Sequence, residues 1–345
     1  MEIISVPANA KTAYNRFVHQ HYPPVGAFMQ TWEWGAFQEA LGRKVGRYFL
    51  KRNGETVAAF TLVHHALPLG LSYIYAPRGP VISHAVKEQE YFDIFDSIGR
   101  WVREKFPELI FIRLEPPARS FMDGIETDKF SIPPYYIQPR FNLAIPLHMT
   151  EEEIMASFHS STRSNIRRAE KREVQVKIVP SSEKLFDQFL AMTRDTIQRN
   201  SGKNAYPTPT YFKALFETIP ILGKTDDHRK LSIGTFCGYK GDEPAAIHFV
   251  LFFGDTATYL YGATYSRYLN SKVTTRLHWE AIREAKRRGM KYYDIGGIDE
   301  VRWPTLTAFK RQFKGEEFSY VGNIDILIRP RMYGFYNLIR RFQKT

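Results

Sequence analysis

The sequence predicts an α/β protein with mixed sheets, built from two tandem copies of one unit. Three kinds of segment return in the same order and at nearly the same separation. These pairs are residues 53–60 and 240–247, residues 73–75 and 259–261, and the helical residues 101–104 and 281–284. A near-constant separation indicates a duplicated unit. Antiparallel strands followed by a helix and one more strand are typical of a mixed sheet.

Composition is that of a folded, basic protein. The chain has 345 residues, of which 43% are hydrophobic and 15% aromatic, enough for two domains with sizeable cores. A formal charge of +12 favours polyanionic partners such as nucleic acid, phosphorylated small molecules or an anionic membrane. An incidentally basic surface is the alternative. Cys237 is the single cysteine, which excludes an internal disulfide and predicts a reducing compartment.

The first copy contains alternating strand and helix patterns. In chain order we predict a helix at 28–41, strands at 45–51 and 57–66 around the turn at 53–54, a strand at 72–75, a helix at 88–106 and a strand at 108–114. We place the first domain at residues 1–147 together with 317–345, and the second at 148–316.

A basic segment follows the first copy. Thr150 and Glu153 have the spacing of a capping box, and we expect one helix to continue from there through the basic residues. That helix carries five cations, namely Arg163, Arg167, Arg168, Lys171 and Arg172. Two interpretations stay open, a solvated charged face and a surface that follows a phosphate backbone.

Residues 289–315 show the clearest candidate for a reactive group. We predict a strand at 291–295, a turn at Gly296 and Gly297, and a helix from Pro304. Its apolar stripe is Leu306, Phe309 and Phe313, with Lys310 at the edge of the stripe. A lysine there is either partly desolvated, with a lowered pKa, or extended to reach water.

The two ends of the chain bear on location. Residues 1–16 lack a charged-then-apolar signal pattern, and the apolar run at 245–253 is too short to span a membrane. We therefore predict a cytoplasmic protein. A helix after Pro330 either packs on the first domain or also rests its basic rim on anionic lipid at the inner face of the cell membrane. That rim is Arg331, Arg340, Arg341 and Lys344.

Several kinds of chemistry are not indicated. The ten histidines show no metal-ligand spacing, and no nucleophile elbow or phosphate-binding loop occurs, so we expect neither a metal nor a cofactor. A mixed-sheet unit used twice suggests tandem GNAT-like acyltransferase domains. The segments 76–80 and 264–270 do not fit the glycine-rich loop with which such domains bind acyl-CoA. The acyl donor is therefore expected to be a different molecule.

Five segments of the sequence form a recognisable set. They are residues 75–80 (YAPRGP), 137–142 (IQPRFN), 162–168 (TRSNIRR), 293–298 (YDIGGI) and 309–310 (FK). In these segments, which occur in family order and cover most of the chain, the protein resembles the FemABX family of aminoacyltransferases, which modify peptidoglycan precursors. The resemblance implies two GNAT-like domains. It is to the short members, without the helical arm that some members use for tRNA.

The resemblance also implies site residues. Phe309 and Lys310 would lie at the reaction centre, and Tyr211 and Tyr261 would line the precursor groove. Asp294, or alternatively Glu115, would orient or deprotonate the attacking amine. The match is weaker at the precursor phosphates. Gln38, four after Trp34, stands where short members have a lysine, and Pro207 stands where they have an arginine; Arg78 or Lys203 are candidate replacements.

The function implied is transfer of an amino acid from aminoacyl-tRNA to an amine of the stem peptide, on lipid II or UDP-MurNAc-pentapeptide. Arg163, Arg167, Arg168 and Lys171 would bind the tRNA. We expect a monomer. Two other classes stay open: a GNAT-like acyltransferase with another donor or acceptor, and a non-catalytic protein that binds RNA or membrane surfaces.

Overall fold

The chain folds into two compact units. One contains residues 1–140 and 319–345, and the other contains residues 141–318. The predicted boundary after residue 147 is too late, because the strand Phe141–Pro146 pairs within the second sheet. The computed structural model describes residues 1–117, 130–133, 135–180, 182–200, 202, 204, 206–223, 227 and 229–342, without the side chains of 339, 341 and 342.

The strands follow the predicted pattern closely. In chain order they are β1 (Glu2–Ser5), β2 (Val45–Arg52), β3 (Glu55–Ala66), β4 (Ser72–Ala76), β5 (Val81–Ile82), β6 (Phe111–Leu114), β7 (Phe130–Ser131), β8 (Phe141–Pro146), β9 (Val174–Val179), β10 (Ser232–Lys240), β11 (Glu243–Phe253), β12 (Thr256–Thr264), β13 (Tyr292–Ile298), β14 (Glu316–Ser319) and β15 (Ile324–Leu327).

The helices cover the sheets. In chain order they are α1 (Lys11–His21), α2 (Trp32–Ala40), α3 (Tyr91–Lys105), α4 (Glu151–Ser157), α5 (Ser160–Lys171), α6 (Glu183–Arg199), α7 (Pro209–Thr218), α8 (Val273–Arg287), α9 (Pro304–Arg311) and α10 (Pro330–Phe342). No helix in the described part of the chain is both long enough and apolar enough to cross a membrane.

The two sheets share one strand order. The sheet of the first unit runs β1-β2-β3-β4-β6-β15-β7, with β5 paired to β3. Read in the same sense, the sheet of the second unit runs β9-β10-β11-β12-β13-β8-β14. The pairs β4–β6 and β12–β13 are parallel, and each is joined through one long helix, α3 or α8. The predicted mixed α/β fold is therefore confirmed.

Each unit has its own hydrophobic core against one face of its sheet. In the first, α3 buries Ile94, Ile98 and Val102 at helical spacing. In the second, α8 buries Leu277, Ala281 and Ala285 in the same manner. Each long helix connects the two strands of a parallel pair, β4 to β6 in the first unit and β12 to β13 in the second.

The basic segment forms two helices where the sequence predicted one. Thr150 accepts a hydrogen bond from the Glu153 amide, and the Glu153 side chain accepts one from the Thr150 amide, so the capping box is present. The helix that it opens ends at Ser157. His159 then caps α5, its ring accepting from the Ser161 amide. The basic residues are therefore on α5, which begins at its own cap.

Candidate active site

A bulge in β13 forms the floor of the site. The pairing of β13 with β8 shifts register between Asp294 and Gly296. Gly296 has φ +91°, a conformation that favours glycine. The Asp294 carboxylate accepts hydrogen bonds from the Gly296 amide at 2.8 Å and from the Asn142 side-chain amide at 2.9 Å. Asp294 is fully buried, so it holds the bulge in place, and both of its oxygens are occupied.

Helix α9 is rotated relative to the predicted stripe. Leu306 is 45% exposed, while Thr307 and Lys310 are buried and Phe309 is half-buried. The Thr307 hydroxyl accepts from the Asp299 amide and donates to the Asp299 carbonyl, both at 2.9 Å. These two bonds fix the phase of the helix. The stripe prediction is wrong for Leu306, and Lys310 lies on the buried face instead of at its edge.

Lys310 is buried without an ion pair. It is 6% exposed, and its Nζ donates to the Gly297 carbonyl at 2.7 Å. Burial lowers the pKa of Lys310 to about 8, an effect that the nearby Asp294 carboxylate opposes. Within the described chain no carboxylate comes within ion-pair distance of it. The neutral and the protonated amine are therefore both accessible near neutral pH.

A cluster of aromatic rings lies behind the Lys310 side chain. The ring of His278 lies 4.5 Å from that of His248, 4.7 Å from that of Tyr259 and 5.8 Å from that of Phe309, centre to centre. Its Nδ1 shares a hydrogen bond of 2.9 Å with the Tyr293 hydroxyl. Burial, together with His248 and the Lys310 cation, holds the pKa of His278 well below its ordinary value. Burial also lowers the pKa of His248 to about 3.

The basic helix α5 begins beside the end of α9. Gln312, two residues after Lys310, accepts from the His159 amide at 2.8 Å through its carbonyl. Its side-chain oxygen accepts from the Ser161 hydroxyl at 3.1 Å. Backbone and side-chain bonds together therefore connect the first turn of α5 to the segment that carries Lys310.

The five basic residues of this segment differ in their contacts. Arg163 donates to the carbonyls of Ala156 and Phe158, and Arg172 donates to a carbonyl in the loop before α8. The remaining three are exposed, and their side chains bind no other described residue. These three are Arg167, Arg168 and Lys171.

The two predicted groove tyrosines come together in the second unit. Tyr211 on α7 and Tyr261 on β12 have hydroxyl oxygens 3.4 Å apart and rings that meet edge to face, with centres 6.0 Å apart. Both are half-buried. They form a pair with polar ends, although their role in substrate binding stays a prediction.

The predicted phosphate-binding residues of the first unit are buried. Trp34 packs its ring 5.0 Å from that of Phe37, and Gln38 accepts a hydrogen bond from Arg43. The Arg78 guanidinium lies 3.6 Å from the ring centre of Tyr320 and donates to a backbone carbonyl. Contacts within the unit thus occupy all three, and their substrate role stays a prediction. Lys203 lies outside the described residues.

The sequence did not point to His278 or Asn142. A signal existed for His278, because it stands in the apolar stripe of α8 with Ala281, Ile282 and Ala285, where a polar side chain is expected to be buried and hydrogen-bonded. For Asn142 the signal was its place at the end of the matching segment 137–142, which assigned it no role. Its partner, Asp294, follows 152 residues later and becomes a neighbour only when β8 pairs with β13.

Two family models match the chain. The model described as the FemAB family matches residues 10–121, and the model described as an acetyltransferase (GNAT) domain matches residues 156–311. Together these matches confirm the resemblance to the FemABX family that the sequence predicts. They also support an enzyme of the acyltransferase class.

A relative and two solved structures resemble the chain over most of its length. The lipid II:glycine glycyltransferase of Staphylococcus epidermidis is 22% identical over 396 aligned positions, covering 93% of this chain and 92% of the relative. The alignment is longer than this chain, so the relative carries segments that the chain lacks. The crystal structure of FemX superposes with a TM-score of 0.77 at 18% identity, covering 97% and 99% of the two chains. A tandem GNAT protein from the clavulanic acid biosynthesis pathway gives a TM-score of 0.54 at 9% identity, covering 95% and 98%.

Proposed function

We propose that the protein transfers an amino acid from aminoacyl-tRNA to an amine of a peptidoglycan-precursor stem peptide, the step that builds an interpeptide bridge. The match to the FemAB family model and a relative named for glycine transfer to lipid II support the reaction class. The observation that carries the proposal is the Lys310 amine, which is buried, has no ion pair among the described residues and is held beside the bulge of β13.

The chemistry is aminolysis of an ester. The stem amine attacks the ester carbonyl carbon, a C–N bond forms, and the C–O bond to the ribose breaks. One proton leaves the attacking nitrogen and one reaches the departing ribose oxygen. A lysine with pKa about 8 can donate hydrogen bonds to the oxyanion and pass a proton to the ribose oxygen. Because Asp294 already accepts two hydrogen bonds, we assign it the positioning of the bulge.

The three exposed cations of α5 are the proposed contact for the tRNA. Arg167, Arg168 and Lys171 lie along the helix whose first turn binds Gln312, close in sequence to Lys310. Cations in such a row neutralise successive phosphates of a nucleic-acid backbone. Phe309 is half-buried beside the ring cluster, where it can pack against the terminal nucleoside of the donor.

The acceptor is proposed to be lipid II, as in the name of the relative, with UDP-MurNAc-pentapeptide as the soluble alternative. Both present the same stem peptide. Tyr211 and Tyr261 are the proposed contacts with that peptide, because their hydroxyls meet at the end of a half-buried aromatic pair.

A transfer assay tests the proposal. The protein is incubated with a set of charged tRNAs and with either precursor, and the products are read by mass spectrometry. We expect one amino-acid residue to be added to the stem peptide, and no addition with uncharged tRNA. Lys310→Met should lower the rate by at least about 10²-fold. Lys213→Met, which changes a surface lysine of the same unit that is 67% exposed, should leave it unchanged.

The outcomes separate the alternatives. Absence of product with every charged tRNA and both precursors would overturn the proposal. Transfer from an acyl carrier in its place would identify a GNAT-like enzyme with another donor. A folded Lys310→Met variant with an unchanged rate would remove Lys310 from the mechanism while leaving the reaction class intact.

A further inference from the structure

The ring cluster behind Lys310 has no role in the chemistry described above. It contains His248 on β11, Tyr259 on β12, His278 on α8 and Tyr293 on β13. Four separate elements thus bring titratable rings to one place in the core. Polar rings are seldom buried together without a purpose, because each must find hydrogen-bond partners away from water.

His278 is the member of the cluster that links the others to α9. It contacts both histidine and tyrosine neighbours, and its ring centre lies 5.8 Å from that of Phe309 and 5.4 Å from that of Phe313. The Tyr293 hydroxyl holds Nδ1 and so fixes the orientation of the imidazole. His278 is 2% exposed and packs beside the Phe309 ring, so it is part of the buried wall on this side of α9.

We propose that His278 is a positioning residue for Lys310: anchored by the Tyr293 hydroxyl, its ring keeps water from the lysine side chain and so holds the amine ready to exchange a proton. This inference rests on the proposed role of Lys310 in aminoacyl transfer. His278 itself touches no reacting atom.

The charges around Lys310 agree with this role. One carboxylate, Asp294 on β13, faces it, and its attraction stabilises the ammonium form. The other titratable groups of the cluster are neutral at pH 7, since burial lowers the pKa of each imidazole and raises that of each phenol. These groups are His248, Tyr259, His278 and Tyr293. Exclusion of water from the Lys310 amine is therefore the main influence that favours its neutral form. That exclusion depends on the His278 ring staying in place.

The test is a direct titration of Lys310. The protein is labelled with ¹³C at lysine Cε, and the Lys310 signal is assigned by its loss in Lys310→Met. The expected midpoint in the unchanged protein is about 8. His278→Ala opens space for water beside the amine, so the midpoint should rise by about one unit or more. Leu277→Ala, which removes a buried side chain from the same helix on the side facing β10, should leave it unchanged.

If His278→Ala does not fold, a second variant can still test the inference. Tyr293→Phe keeps the ring and removes only the hydroxyl that anchors His278, and we expect a smaller rise of the same sign. The pH profile of transfer should move with the midpoint in each variant. An unchanged midpoint in a folded His278→Ala protein, or in Tyr293→Phe if the first does not fold, would overturn the inference. If the midpoint moves but no transfer occurs with any donor, the proposed function fails and the role of His278 stands.

Discussion

One buried cation from each unit, Arg113 in the first and Lys310 in the second, has opposite surroundings. In the first unit, Arg113 on β6 is fully buried, and two of its nitrogens donate to the two oxygens of Asp325 on β15 at 2.6 Å each. Tyr135 and Tyr333 add hydrogen bonds to this pair. In the second unit, Lys310 has one carbonyl partner and no ion pair among the described residues.

The difference shows which buried charge holds the fold together and which is available for chemistry. A buried ion pair with both oxygens satisfied is stable only as a whole, since removal of one partner leaves the other uncompensated. A buried lysine without such a partner loses stability in its charged form, and for that reason can give up its proton near neutral pH. The two units therefore differ in their buried cations: Arg113 stabilises the fold of the first unit, and Lys310 is the proposed reactive group of the second.

The largest effect should come from breaking the buried ion pair between Arg113 and Asp325. Arg113→Met leaves the Asp325 carboxylate buried without its cation, and we expect a loss of about 3–5 kcal/mol in the free energy of unfolding. Urea denaturation measures this. Replacing both partners, with Arg113→Met and Asp325→Leu, should recover most of the loss. A single variant within 1 kcal/mol of the unchanged protein would show that the pair contributes little.

The second effect concerns the unpaired site and its pH dependence. Between pH 8 and about 10.5 the unfolded chain binds a proton at Lys310 that the folded chain has lost, so stability should rise with pH across that window, by roughly 3 kcal/mol. Below pH 8 the full penalty is present. Lys310→Met should abolish this rise and be more stable than the unchanged protein at pH 7. Equal slopes for Lys310→Met and Lys213→Met would contradict a lowered pKa for Lys310.

The third effect concerns the proposed tRNA contact on α5, which lies in the same unit as Lys310. Changing Arg167, Arg168 and Lys171 to Gln should weaken tRNA binding and reduce the salt dependence of the affinity by roughly two to three units of slope. Filter binding over a range of salt concentrations measures it. Three exposed lysines of the same unit, Lys184, Lys213 and Lys230, changed likewise, serve as the control. The same slope in both triple variants would mean that α5 is merely a solvated helix.

The smallest effect concerns α10 in the first unit. Its Tyr333 and Tyr336 pack in the core of that unit, while Phe335 and Leu338 are 42% and 51% exposed. We propose that this outer face, with Arg331, rests on anionic lipid. Arg331→Ser should lower co-sedimentation with anionic liposomes by about 1 kcal/mol, a few-fold in affinity.

The hydrophobic part of the α10 contact needs its own control. Changing Phe335 and Leu338 to Ser should reduce binding further, whereas Leu69→Ser, at a leucine that is 79% exposed, should not. Binding that ignores lipid charge would contradict the membrane contact. Arg340 is not a suitable probe, because it lies over the Tyr135 ring and donates to Tyr336. The Arg341 side chain and Lys344 lie outside the described residues.

Much of this architecture could be predicted from the sequence because it rests on local patterns. Strand and helix periodicity recurred in both copies, and together with the pairing order it implied the mixed sheets. The phase of α9 could not be predicted in this way. Leu306 is more hydrophobic than Thr307, but the two hydrogen bonds of Thr307 to Asp299 determine which side of α9 faces inwards. Hydrogen bonds of this kind are invisible to a hydrophobic pattern.

The break between α4 and α5, and the contacts of Lys310, escaped prediction for a related reason. The ring of His159 starts a new helix at a residue that carries no strong cap signal. The Asp294–Asn142 and His278–Tyr293 bonds join residues from different strands and helices. Their geometry depends on tertiary packing, so a reading of one segment at a time could locate Lys310 but not the groups around it.

The placement of β15 has a consequence for biosynthesis. The second unit is one continuous stretch, residues 141–318, and its sheet can assemble as soon as that stretch has left the ribosome. Synthesis of the first unit begins earlier, but its sheet is completed later. The reason is that β6 has no neighbour on one side until residues 324–327 are made. Until then Arg113 lacks its ion-pair partner, Asp325. The half of the protein that is translated first is therefore completed last, and a nascent chain interrupted before Ile324 would present an unpaired strand edge to the cell.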